Sequence, residues 1–286
     1  MKAEGFPKAY LLPALILAAL VWGLPLIYAL LLSFTQATPG GTGDFIGLAN
    51  YLTAFRDPGF FKSASVSALF ASCASILNVG AGLIIALLLR PSARASAYAR
   101  SALLFPWVLS ELAVALIFSG FCHESSGLVN ITFMKFGLPR VLFQSGAAAA
   151  TGLLLAANLW RGLAFSAMLQ MAGLASLPRN LIDAARVDGA KFPQIFRRVI
   201  WPHQSRIVAV NLLLVFLHSL IIFALPFALT GGGPLGATRY LSLYAYDTAF
   251  GGDFSLGYAA AQGMIVLAAY GLLMSLLFRL RKRAAS

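Results

Sequence analysis

The sequence predicts an all-α, polytopic membrane protein with six transmembrane helices. Of its 286 residues, 60% are hydrophobic and only 10% charged, where soluble domains average about 25% charged. Six apolar segments each approach or exceed the roughly 20 residues that a helix needs to cross a bilayer. The basic residues between those segments are sorted by side, as the positive-inside rule expects of a membrane protein.

The first segment runs from Tyr10 to Phe34 and holds no charge. Lys2 and Lys8 precede it, as in a secretory signal. Its apolar core is longer than the about 7–15 residues of a signal peptide, and no small-x-small cleavage site follows. It therefore reads as a retained anchor, with Pro13 and Pro25 as tolerated kinks. Residues 36–65 are rich in Gly, Pro and Asp and read as a loop. The second segment spans Val66–Leu89 and the third Ser101–Cys122, with Arg90, Arg94 and Arg100 between them. Residues 123–145 read as an outer loop lying at the membrane interface. The fourth segment is Gly146–Leu174, the fifth Ile207–Leu229 and the sixth Leu256–Phe278. No internal repeat or long linker interrupts them. The expected organisation is an anchor helix and outer loop over 1–65, a membrane body over 66–278 and a basic tail over 279–286.

Orientation follows from lysine and arginine counts. With the N-terminus cytoplasmic, that side carries Lys2, Lys8, the three arginines after the second segment, six basic residues between Arg179 and Arg206, and four after the sixth segment, fifteen in all. The outer side carries five: Arg56, Lys62, Lys135, Arg140 and Arg239. Arg161 is left within the membrane. Both termini and the 177–202 stretch are expected in the cytoplasm. The net charge of +12 thus reflects topology and not a nucleic-acid surface.

Leu177–Pro202, LPRNLIDAARVDGAKFPQIFRRVIWP, is the longest mixed-charge run in the chain. Pro178 suits a first helical turn, where its missing N–H would be unpaired anyway. Gly189 is a natural left-handed stop. Pro193 opens a second short helix, which Pro202 is expected to end. Asp183-Ala184-Ala185, three residues, Gly189, nine residues, then Val199-Ile200-Trp201-Pro202 is similar to the EAA loop of ABC-importer permeases. Asp stands for Glu at 183, Val for Ile at 199 and Trp for Leu at 201. Gly173-Leu174 and Asp188-Gly189-Ala190 resemble the sugar-type, maltose-like subgroup. So do Phe45-Ile46-Gly47-Leu48-Ala49-Asn50-Tyr51 and the turn Thr230-Gly231-Gly232-Gly233-Pro234.

That resemblance implies the type I transmembrane-domain fold of ABC importers. It implies a second homologous permease, two ATP-binding subunits and an extracytoplasmic solute-binding protein as partners. Asp183, Ala184, Ala185, Asp188, Gly189 and Pro202 would form the loop that couples to the ATPase. No P-loop GxxxxGK[ST] is present, so ATP is expected in partner subunits. No cofactor and no metal are expected: His123, His203 and His218 are scattered, without ligand spacing. Cys73 and Cys122 lie in apolar segments and read as small buried hydrophobes. His203 reads as an exposed loop residue. No catalytic constellation emerges, so a transport subunit and not an enzyme is expected.

The candidate translocation pathway comprises Glu111, Asn158, Trp160, Arg161, Asn211, His218 and Phe223. Charges near mid-bilayer cost about 2.5–3.5 kcal/mol on insertion scales and face a partner or a cavity. Glu111 and Arg161 fall near mid-depth of adjacent segments, either as a structural ion pair or facing solute. The aromatic and amide residues suit a pyranose, with its flat faces and many hydroxyls. Hydrogen bonding between helices explains Asn158, Asn211 and His218 as well. The expected function is a permease subunit for a sugar or sugar derivative, in the inner membrane. The alternative is a secondary transporter for a small polar solute, which would show inverted repeats and interrupted helices.

Overall fold

The computed structural model describes residues 12–89, 94–252 and 254–283. The expected helix start at Tyr10, together with Lys2, Lys8, Arg90 and the last three residues of the basic tail, lies outside them. In chain order the helices are α1 (Leu12–Leu32), α2 (Ala49–Ala54), α3 (Pro58–Leu88), α4 (Arg94–Val108), α5 (Glu111–Phe121), α6 (Leu128–Lys135), α7 (Ala147–Ala175), α8 (Arg179–Val187), α9 (Phe192–Leu220), α10 (Ala224–Leu229), α11 (Leu241–Phe250) and α12 (Leu256–Arg283). Among the described residues there is no strand, only two isolated bridges, Thr35 with Phe45 and Thr38 with Gly41.

Among the described residues five helices are long and apolar enough to cross a membrane, and up to six if α4 and α5, which pass the same test together and are bent by 96°, count as one span. The six-span, all-α expectation is thus borne out, with three corrections. The expected third span, Ser101–Cys122, is two helices. Ser110 is extended (φ −64°, ψ 152°) and its hydroxyl accepts the Ala113 N–H, so it caps a new helix that starts at Glu111. The second span begins at Pro58 and not at Val66. Asp57 Oδ1 accepts the Gly59 N–H at 2.8 Å, a cap followed by a proline that needs no intrahelical donor.

The third correction is at Pro202, which does not end a helix. α9 passes through it and ends only at Leu220, and the expected fifth span Ile207–Leu229 breaks at residues 221–223. A proline lacks the N–H for the preceding turn and its ring crowds the carbonyl four residues back. The helix answers with a wider turn over Phe196–Ile200, where the Trp201 N–H reaches the Phe196 carbonyl five residues back. The same device precedes Pro25: Ala19–Gly23 is a π turn, and the Leu24 N–H bonds to Ala19. Both helices stay continuous because the π turn absorbs the misfit.

The chain divides into two compact units, Met1–Phe61 with Tyr244–Ser286, and Lys62–Leu243. In the first, α1 and α2 pack against α12. α1 buries none of its residues, as suits a helix facing lipid or another subunit. The segment after α1 is tied by buried Asn50, whose amide donates to the Ser33 and Thr35 carbonyls, both at 2.9 Å. Asp57 is a second knot. It accepts the hydroxyls of Tyr244 at 2.5 Å and Tyr258 at 2.7 Å as well as the Gly59 amide.

The second unit has a core of Phe70, Val114, Ala115, Leu153, Leu154, Ala157, Ile222, Leu225, Leu229 and Tyr240. Lipid tails are as apolar as leucine, so close packing must hold membrane helices together. Glycines allow it: a Cβ at Gly82 of α3 would stand 2.7 Å from the Ser166 Cβ of α7, and one at Gly173 of α7 would stand 2.3 Å from Ile207 of α9. The loop at 123–145 contains α6 and is laced by polar groups. Asn130, fully buried, bonds to the Glu124 and Val141 backbone, while the Glu124 carboxylate takes the Gln144 and Ser145 amides and the Ser145 hydroxyl.

Burial acts to raise the Asp57 carboxyl, but the Tyr244 and Tyr258 hydroxyls and the Gly59 and Phe60 amides outweigh it and hold it below the ordinary value. A lowered folded value means the contribution is complete above the unfolded value and is lost as pH falls through the folded one. Asp57→Asn should therefore destabilise the protein at pH 7, by about 1–3 kcal/mol if the charge-assisted bonds dominate. The difference from wild type should shrink below about pH 4. Thermal unfolding in detergent across pH checks this, and a gap that does not change with pH would contradict it.

Candidate coupling loop and charged helix junction

Residues 177–202 form a compact elbow. Leu177, Ile195 and Ile200 are buried together, and Leu174, Ile182, Ala185, Ala190, Phe196 and Val199 pack on them. α8 is amphipathic by spacing. Ile182 and Ala185 face this cluster, while Leu181, Ala184, Val187 and Asp188 are exposed, Val187 to 88%. α8 ends in a complete Schellman turn: the Ala190 N–H bonds to the Ala185 carbonyl at 2.9 Å and the Gly189 N–H to Arg186 at 3.0 Å. Gly189 sits at φ +77° with no atom within 4 Å of where a Cβ would be. The left-handed backbone alone therefore calls for glycine there.

Of the six residues expected in this loop, Asp183, Ala184, Asp188 and Gly189 are exposed on the elbow, Ala185 packs inward, and Pro202 lies inside α9. Asp183 pairs with Arg186 one turn on, Nη1 to Oδ1 at 3.3 Å, both well exposed. Such a pair contributes about 0–1 kcal/mol, so its role is not stability. His203 also lies inside α9, its Nε2 hydrogen bonded to the Ser176 hydroxyl at 3.0 Å, which corrects the loop placement.

The second site is where two helices break. Glu111 is the first residue of α5, immediately after the 96° bend. Arg161 Nη1 lies 3.6 Å from Glu111 Oε1, and His218 Nε2 lies 3.5 Å from the same oxygen. The Glu111 and Arg161 side chains are 18% and 24% exposed and that of His218 56%. Each charge also lies beside a backbone group that a break leaves open. The Glu111 carboxylate faces the backbone N–H of Leu225, in the first turn of α10. Arg161 Nε donates to the Leu109 carbonyl at 3.1 Å, at the end of α4. An acid at helix N-termini is also favoured by their positive dipole end.

The other pathway candidates divide. Trp160 packs on Phe118, ring centroids 5.8 Å apart, and Phe223 stacks on Phe227 at 5.2 Å. Asn158 and Asn211 are not brought to Glu111; both are buried between helices. Asn78 of α3 donates to Asn158 Oδ1 at 2.9 Å, and the Ser166 hydroxyl of α7 donates to Asn211 Oδ1 at 3.3 Å. Below them Gln204 of α9 donates to the Gln170 carbonyl at 3.0 Å. Sequence reasoning passed over Asn78, Ser166, Gln170 and Gln204, although amides inside apolar segments signal such bonds. It also passed over Ser110, whose position before an acid is a helix-start signal.

This is the fold of ABC-importer transmembrane subunits. The chain superposes with TM-score 0.84 on a chain of the bacterial alginate ABC transporter solved in complex with alginate pentasaccharide-bound periplasmic protein, over 97% of this chain and 94% of that one, at 21% identity. It belongs to the family of binding-protein-dependent transport system inner membrane components, whose sequence profile matches residues 78–285. It is 30% identical to the multiple sugar-binding transport system permease protein MsmF of Streptococcus mutans, over 96% of this chain and 94% of that protein. It is also 30% identical to the sulfoquinovosyl glycerol transport system permease protein SmoG of Agrobacterium fabrum, over 90% and 84%. The resemblance to sugar-type ABC-importer permeases is thereby borne out, and the chain is a multi-pass transport subunit.

The geometry refines what removal of the charges should do. Breaking a buried ion pair costs about 3–5 kcal/mol, while replacing both partners can be nearly neutral. Here Arg161 also satisfies the Leu109 carbonyl and Glu111 faces the Leu225 N–H, and an orphaned group costs about 1–3 kcal/mol. Glu111→Leu with Arg161→Leu should therefore recover only part of the stability lost in either single variant. Glu111→Gln with Arg161→Gln, which can keep both backbone bonds, should recover more. Thermal midpoints in detergent decide, and full recovery by the leucine pair would show that the backbone bonds contribute nothing.

Proposed function

We propose that the chain is one half of the membrane pathway of an ATP-driven importer for a sugar or sugar derivative. The exposed elbow of α8, with Leu181, Ala184 and Val187 outward beside Gly189, carries this reading. An apolar row on a short helix, held on a buried apolar base, suits insertion into a groove of another protein. The occupant of that role is an ATP-binding subunit, two of which would serve a pair of permeases. The second permease is a homologue, and α1, unburied along its length, offers it an apolar face. A soluble binding protein delivers solute from outside, in keeping with the family description.

In this reading ATP binding closes the ATPase pair, the elbows move inward, and the membrane cavity opens outward. The permease holds no cofactor of its own. Both termini and the elbow face the cytoplasm, as fifteen basic residues against five favour. The sugar class follows from relatives named for several sugars and for a sulfoquinovosyl glycerol. Trp160 and Phe223 are the aromatic candidates for stacking, and the Glu111, Arg161 and His218 junction supplies polar groups. The interrupted helices at 109–110 and 221–223 are what a secondary transporter would also have. The family match favours the ATP-driven reading.

Gly189→Leu should abolish uptake while the protein still inserts. Open space around Gly189 leaves two causes, left-handed strain of about 1–2 kcal/mol and obstruction of docking. Gly189→Asn tolerates the left-handed backbone, so it should retain more uptake and more copurifying ATPase than the leucine variant. Normal uptake with leucine at 189 would sink the coupling role. Orientation is tested separately: a cysteine at Ser126 should react with an impermeant reagent added to intact cells, and one at Gln194 should react only after the membrane is opened.

A further inference from the structure

A cavity of about 670 Å³ lies on the inner side of the elbow, against the ends of α3 and α7. Its walls are mostly apolar, with Leu87, Met171 and Leu174 among them, and three charged side chains share the lining: Arg100, Asp183 and Arg186. The lining is too apolar for a free ion and carries one net positive charge. α3 ends at Leu88 and α7 at Ala175, so the cavity sits where two membrane spans stop and hydrocarbon gives way to headgroups. An aromatic row marks the same level: Phe192, Phe196 and Trp201 at the start of α9 have ring centroids 6.3 and 6.1 Å apart. Of these only Trp201 has a ring with a polar edge, the kind that concentrates at that depth.

We propose that this cavity binds an anionic phospholipid, its phosphate on Arg100 and Arg186 and an acyl chain against Leu87, Met171 and Leu174. The Asp183–Arg186 pair, a single contact at 3.3 Å between exposed groups, is weak enough for a phosphate to displace or share. A guanidinium has five N–H donors in a planar fork that fits phosphate, and Asp183 takes one of those on Arg186. The bound lipid would brace the elbow against the membrane body, so that coupling depends on the charge of the surrounding leaflet. That the leaflet is the cytoplasmic one rests on the orientation proposed above.

The test uses the full chain purified with its partner subunits, native mass spectrometry, and titration with phosphatidylglycerol, phosphatidylcholine or inorganic phosphate. Phosphatidylglycerol should be retained in preference to phosphatidylcholine. Arg100→Gln with Arg186→Gln should weaken it about tenfold or more. Leu87→Trp, which narrows the apolar wall and leaves the charges in place, should weaken it too, and it keeps the test available if the arginine variants fail to fold. Equal retention of the two lipids, undiminished retention by both variants, or displacement by inorganic phosphate alone would each overturn the proposal. Lipid retention in detergent does not depend on orientation, which the Gln194 cysteine reports independently.

Discussion

A backbone amide or carbonyl without a partner cannot be left in hydrocarbon, and the second unit is arranged around that constraint. α4 and α9 both stop inside the apolar region, and each stop exposes groups that an unbroken helix would satisfy internally. Arg161 answers the first stop by donating to the Leu109 carbonyl, and its partner Glu111 faces the Leu225 N–H where the chain resumes as a helix. Two charges that are costly singly become tolerable as a pair, with His218 beside them, at the place where the two helices break. α10 packs on α5, and α5 on α7, beside that junction.

The polar residues along α7 follow the same logic between unbroken helices. Asn158 meets Asn78 of α3, Ser166 meets Asn211 of α9, and Gln170 meets Gln204 of α9. Gly82, Gly162 and Gly173 let the backbones come close enough for short amide side chains to reach across. Small residues and amides are thus one device. The glycine supplies the approach, and the amide supplies a directional bond that lipid cannot replace.

Much of this was legible from residues alone, and the exceptions have physical causes. Span number and the Glu111–Arg161 pairing were legible because apolar length and the cost of a buried charge are direct readings of composition. The break at 109–110 was not, because a lone Ser110-Glu111 between two apolar halves was weighed as a charge inside one span and not as a helix start. The α3 start was missed because Asp57-Pro58-Gly59 is equally a turn and a helix start. Pro202 was read as a stop because proline usually is one, and a π turn leaves no mark in composition. The Leu225 amide could not be foreseen at all, since backbone donors are the same in every sequence.

The π turn at Phe196–Ile200 has a mechanical meaning. Because the helix is not cut at Pro202, α9 is a single rod from Phe192 to Leu220, about 43 Å at 1.5 Å per residue. One end is rooted in the elbow and the other carries His218, two residues before its end, to the side of Glu111. A stiff rod transmits thrust along its axis far better than a hinged one. In the coupling reading proposed above, motion imposed on the elbow would arrive at the junction along this one helix, as displacement of His218 beside Glu111. The elbow and the junction are, in that reading, the handle and the tip of the same lever.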